Sequence, residues 1–216
     1  MKNMLYKEFR LAMHPTAFLF MALAVMMLIP NYPYYVTFFY MTLAIFFICL
    51  GGRENHDIFY TMTLPVAKSS VVSARFIMAV ILEITQIILA LPFAILRSTF
   101  KSVPPNQAGM DANAAMFGIS FVLLGLFNFV FFTKYYKDPD KVGKAFAVSS
   151  IIYFAAMLIA EACSFAIPFV HEHIDNTLSA DMPYRLVILA AGIVIYAVLT
   201  LVSYKKSVKS FCALDL

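Results

Sequence analysis

From Pro15 to Gly52 the chain runs 38 residues without one charged side chain. A stretch of about 20 apolar residues is enough to cross a bilayer, so this run has the length for two crossings. The tetrapeptide Pro30 to Pro33, "PNYP", divides it, because two prolines in four residues force a tight break. The spans so defined are Thr16 to Ile29 and Tyr34 to Leu50, the first short for a hydrocarbon core of about 30 Å. Four more apolar runs follow: Phe76 to Leu96, Ala112 to Thr133, Ala145 to Val170 and Leu186 to Ser203. Pro168 is expected to end or kink the fifth. The composition agrees, with 62% hydrophobic and 13% charged residues against about 25% charged in soluble domains. The apolar residues come in runs and not in the alternation of a membrane barrel. Helices pair their own backbone groups in lipid, so the sequence predicts an all-α, polytopic protein of six transmembrane helices. Residues 1–216 are expected to form a single transmembrane domain.

Charge placement orients it. Lys2, Lys7 and Arg10 precede the first span; Arg53, Lys68 and Arg75 lie between the second and third. Lys134, Lys137, Lys141 and Lys144 join the fourth to the fifth, and Lys205, Lys206 and Lys209 follow the sixth. That side carries 13 basic residues, against Arg97, Lys101 and Arg185 on the other. The positive-inside rule puts both termini in the cytoplasm. The same placement accounts for the net charge of +4 without nucleic acid. Cys49, Cys163 and Cys212 are scattered and form neither a disulfide framework nor a zinc spacing. The basic, then apolar, N-terminus has the look of a signal peptide but is expected to be retained. Residues 1–14 read as an interfacial helix. Asn3, Lys7, Arg10 and His14 make its polar stripe, and Met1, Leu5, Phe9 and Ala12 the apolar one; Glu8 blurs the pattern.

The polar insert at residues 51–75 stands out between apolar runs. Gly51-Gly52 can end the second helix. Asn55 or Asp57 can cap a short helix to about Met62, with Ile58, Phe59 and Met62 as an apolar patch. Pro65 stops that helix or starts the next turn. The patch needs a cover, either lipid or a partner protein.

The stretch "ENHDIFYTMTLPVAKSSVVSAR" resembles the cytoplasmic segment of ABC-2 type transporter permeases of the small six-helix group. Glu54, Asn55, Thr63, Leu64, Pro65, Val66, Lys68 and Arg75 fit that pattern, and Ala67 departs from it where Ser or Thr is usual. The resemblance implies that the insert is a coupling helix seated in a groove of a separate ATP-binding subunit, with Glu54, Asn55, Asp57, Ile58, Phe59, Met62, Thr63, Leu64 and Pro65 at the contact. It also implies a second permease copy or a related permease, a bacterial cytoplasmic membrane, and export of hydrophobic or amphipathic cargo. Relatives that export antimicrobial or cytolytic peptides make a peptide the first expectation, with lipids or drugs next. The chain has no G-x-x-x-x-G-K-[ST] phosphate loop. No cofactor is therefore expected in it, and ATP and Mg belong to the partner ATPase.

Within the spans, Glu83 and Gln86 lie in the third, Asn128 in the fourth and Glu161 in the fifth. A carboxylate at bilayer depth costs about 3 kcal/mol or more, so it must face protein or a wet cavity. These residues either line a translocation route or hydrogen-bond across helices to fix the bundle. Gly118, Gly125 and Asn128 share a face of the fourth span, and Ala156, Ala160 and Ser164 make a small-residue stripe on the fifth. His171, Glu172, His173 and Asp175 are too closely spaced to predict a metal site alone. Two other readings are an intramembrane enzyme using Glu83, Glu161 or the histidines, and a scaffold or sensor subunit without transport.

Overall fold

The computed structural model describes residues 2–99, 106–175 and 179–214; Met1 and Lys101 lie outside them. Every element among the described residues is helical. Among the described residues five helices are long and apolar enough to cross a membrane, and six if the bent pair at the N-terminus is counted as one span.

The chain begins with α1 (Lys2–Lys7), which continues into a π-helical turn over Glu8–Ala12. An 85° bend then leads into α2 (Thr16–Ala22), prolonged by a 3₁₀ stretch, Leu23–Leu28. At 1.5 and 2.0 Å per residue these reach about 22 Å together. α3 (Tyr35–Glu54), α4 (Asp57–Met62) and α5 (Lys68–Thr99) follow. α6 (Ala114–Tyr135), α7 (Val142–Ala166) and α8 (Met182–Cys212) complete the bundle. Glu8 pairs with Arg75, and Lys68 Nζ donates to the Leu214 carbonyl at 2.5 Å. Glu8 and Leu214, from the two terminal segments, therefore both sit at the start of α5, on what we term the terminal face.

Several boundaries differ from the sequence expectation. Gly51-Gly52 do not end α3: both are right-handed, and the helix runs on to Glu54. The left-handed residue is His56, at φ 51°, and it starts α4 without a side-chain cap. Asn55 instead closes α3, its N–H reaching the Gly51 carbonyl. Asp57 is no cap either, because its carboxylate is held by cations. α5 begins at Lys68, eight residues early, because Val71, Val72, Ala74 and Arg75 are already buried there. α8 likewise continues through the lysine tail: Tyr196, Thr200, Ser203, Ser207 and Phe211 form one buried face, and Phe211 packs on Tyr136. At α7 the chain turns extended at Ile167, just before Pro168, as proline sterics require.

α6 is the central stave. Its Phe127, Phe131, Phe132 and Tyr135 are fully or almost fully buried, and Phe76 of α5 packs on Phe132 with ring centroids 4.3 Å apart and the rings tilted by 35°. Phe46 of α3 meets Phe146 of α7 at 4.3 Å, and Phe39 meets Phe154 at 4.5 Å. Lipid tails are as apolar as leucine, so close packing and not burial from water must hold such helices together. The tightest seam is α6 against α8, along the predicted face of Gly118 and Gly125. A β-carbon on Gly192 of α8 would lie 2.1 Å from the Gly118 carbonyl oxygen, and one on Gly118 would lie 2.6 Å from the Ile188 carbonyl. On α7 the contact stripe is Ser149, Tyr153, Met157, Glu161 and Ser164, and Ala156 and Ala160 lie half-buried at its side. Tyr153 and Met157 outrank them because aromatic packing dominates that seam.

Replacing Gly192 with Ala should therefore lower stability by about 1–3 kcal/mol through overpacking. Gly143, whose β-carbon would meet nothing within 4 Å, should tolerate Ala without loss. Thermal unfolding of the purified variants in detergent measures both; equal melting temperatures would contradict the backbone contact.

Candidate functional site

The polar insert folds onto the bundle through a buried ionic cluster. Four charged groups from three elements meet. Lys7 and Glu8 come from the N-terminal segment, Asp57 from α4 and Arg75 from α5. Arg75 Nε pairs with Glu8 Oε2, and Nη2 lies 2.9 Å from Asp57 Oδ2. Lys7 Nζ lies 2.5 Å from Asp57 Oδ1 and 2.9 Å from Thr61 Oγ1. Arg75 Nη1 also reaches Cys49 Sγ of α3 at 3.8 Å. The Glu8 side chain is fully buried and that of Arg75 is 4% exposed. Two cations against two carboxylates leave no net charge, which is the condition for burying such groups. Gly52 leaves room for the guanidinium beside α3.

This arrangement corrects the amphipathic pattern expected at residues 1–14. Glu8, the residue that spoiled the stripe, is the most buried one there, whereas Leu11 is 79% exposed. A counter-charge for Arg75 outweighs the apolar stripe. The patch expected on the insert is split as well. Successive helical residues turn by about 100°. Ile58 and Met62 therefore pack inward with buried Thr61, while Phe59 and Tyr60 point outward at 64% exposure each. Glu54, Asn55, Thr63, Leu64 and Pro65 are also exposed. Beside them lies a notch of about 400 Å³ lined by Leu11, His14, Phe47, Asn55 and Tyr60.

The intramembrane polar residues do not converge on one point. Glu83 and Asn128 come together: Glu83 Oε2 accepts from Asn128 Nδ2 at 2.9 Å and from the Tyr196 hydroxyl of α8 at 2.6 Å. Ser203 donates to the Asn128 carbonyl at 2.8 Å. Gln86 turns to α3 and donates to the Thr37 carbonyl at 3.4 Å. Glu161 instead holds the loop on the opposite face, accepting from the Met110 N–H at 2.9 Å. A β-carbon on Gly109 would lie 2.4 Å from Glu161 Oε1, so any larger residue there would have to displace that carboxylate. The Asp111 N–H donates to Asp175 at 2.7 Å, and Asn113 Nδ2 to the Ile174 carbonyl. Burial, with the nearby Asp111 carboxylate, pushes Asp175 above the ordinary carboxylate range, and the Asp111 N–H partly offsets this. His173 binds Asp181 at 3.0 Å, and no group of three His, Cys, Asp or Glu among the described residues is placed to hold a metal.

The folded chain is thus a multi-pass helical membrane protein with an ion-paired hub at one face. Its residues 3–212 match the family model described as ABC-2 family transporter protein, and the chain belongs to that family. It is accordingly a membrane permease of an ABC transporter, and membership implies an ATP-binding partner subunit. No curated protein and no solved structure matches the chain.

Sequence reasoning missed Glu8, Lys7 and Tyr196. A lone acid in a basic segment, with an arginine at the edge of an apolar run, was the available signal for the first pair. Nothing marked Tyr196. Arg75→Leu should strip the counter-charge from Glu8 and cost about 3–5 kcal/mol. The double change with Glu8→Leu should be less damaging than Arg75→Leu alone. Additive losses in melting experiments would show that the two groups are not coupled.

Proposed function

We propose that this chain is the transmembrane half of an exporter driven by a separate ATP-binding subunit that docks on α4. The terminal face is then cytoplasmic and the membrane is the bacterial cytoplasmic membrane. A second copy or a related permease completes the pathway, and ATP and Mg stay with the partner. One observation carries the reading: α4 is two-faced. Its outer side offers Phe59 and Tyr60, with Leu64 just beyond, to a partner, while its inner side is ion-paired through Asp57 to Arg75 of α5. A push on α4 reaches α5 directly. α5 is a single 32-residue helix, and Glu83 lies eight residues beyond Arg75, about 12 Å deeper. There Tyr196 and Asn128 pass the displacement to α8 and α6.

The same region supports hydrophobic or amphipathic cargo. Between α5 and α8 lie two apolar lateral grooves. One, of about 400 Å³, is lined by Ile77, Ile81 and Leu201; the other, of about 480 Å³, by Ile84, Ile88 and Ile193. Along both helices the Glu83–Tyr196 bridge falls between them. An amphipathic peptide is the first candidate; Glu83, Gln86 and Asn128 are buried in the resting bundle and would meet its polar groups only when the α5–α8 seam opens, while Glu161 serves as the latch of the outer loop.

Phe59→Asp or Leu64→Asp should reduce copurification of the ATP-binding subunit at least about tenfold with folded yield retained, since exposed anchors of this type are worth about 2 kcal/mol. Undiminished binding by both variants would refute docking on α4. Glu83→Gln should lower export while leaving yield intact. A fall in yield alone would assign Glu83 a purely structural role.

A further inference from the structure

The turn between α6 and α7 carries a feature that docking and export do not use. Lys134, Lys137, Lys141 and Lys144 all line one concavity of about 320 Å³. Asp138 is its single acidic lining residue, and Lys141 occupies it at 2.5 Å. Among the described residues, Lys134, Lys137 and Lys144 meet no carboxylate. With Lys141 neutralised by Asp138, three uncompensated ammonium groups remain around the hollow, and an anion entering it would relieve their repulsion. Their depth says which anion. Lys134 lies in the last turn of α6, two residues after buried Phe132, and Lys144 lies in the first turn of α7. Both helices leave the hydrocarbon here, so the ammonium groups stand at headgroup level.

We propose that this hollow binds the phosphodiester of an anionic phospholipid. The proposal rests on the terminal face being cytoplasmic, where basic groups between transmembrane helices meet anionic headgroups. Such a lipid would sit beside the coupling segment, because Arg53 Nη1 donates to the Asp140 carbonyl at 3.3 Å. The hollow shares no residue with the notch beside α4, so lipid occupancy and ATPase docking are separable.

The test uses the full chain in detergent without any ATP-binding subunit, titrated with phosphatidylglycerol or phosphatidylcholine and read by native mass spectrometry. The unsubstituted chain should retain phosphatidylglycerol preferentially. Lys134→Gln, Lys137→Gln and Lys144→Gln together should weaken that retention at least about tenfold, and Lys144→Gln alone about fivefold. A charge-matched control, Lys205→Gln, Lys206→Gln and Lys209→Gln, should retain the lipid. Unchanged phosphatidylcholine binding and melting temperature verify the fold. Equal loss in the control, or no loss in the pocket variants, overturns the proposal. Displacement of the lipid by excess inorganic phosphate also overturns it, by assigning the hollow to a soluble anion. Failure of ATPase docking would leave these readings unmoved.

Discussion

Arg75 is the constraint on which the terminal face is built. A guanidinium that enters the bundle cannot be left alone, and no residue of its own helix answers it. Glu8 and Asp57 do so from two other elements, and Lys7 balances the second carboxylate. The N-terminal segment is therefore held against α5 by charge as much as by apolar contact, and its outer side keeps Tyr6 and Leu11 exposed. α4 is only six residues long and too short to be stable alone. It persists because Asp57, Ile58, Thr61 and Met62 are anchored to the same hub.

Deeper in the bundle a different rule holds. α6 and α8 approach until backbone meets backbone at Gly118 and Gly192, which dispersion favours and any side chain would prevent. α5 and α8 are instead parted by grooves and joined by the Glu83–Tyr196 and Ser73–Tyr204 hydrogen bonds. The molecule thus has one rigid seam and one loose seam with two polar rivets. α5 belongs to the hub at one end and to the rivet halfway along, so it is the element through which the two communicate.

The spans were legible because twenty apolar residues in a row leave few alternatives, and Pro168 and "PNYP" punctuate as their chemistry requires. The location of the insert was legible for the same reason. Its orientation was not. Ile58, Phe59 and Met62 form one patch in composition, but Asp57 fixes the rotation of α4 and turns Phe59 outward. Glu8 stood out only as a lone acid in a basic segment; its pairing was missed because the partner is distant in the chain and charge pairing leaves no local period. The four intramembrane polar residues were identifiable one by one as costly. Their separation into the Glu83–Asn128 pair, the Gln86 bond to α3 and the Glu161 latch depends on helix rotation, which apolar runs do not encode.

The 3₁₀ winding of Leu23–Leu28 has a consequence for the surrounding membrane. Phe18 and Leu19 are more than 60% exposed, and Val25 and Ile29 are partly so, so this element keeps an uncovered apolar side along its length. Yet the element reaches only about 22 Å where the hydrocarbon is about 30 Å thick. The longer rise of the 3₁₀ turns is already counted in that reach, so the lipid must absorb the difference by thinning. At a fraction of a kcal/mol per Å, that deformation amounts to a few kcal/mol stored in the bilayer and not in the protein. The first span thereby marks the flank of the molecule where the lipid barrier is thinnest.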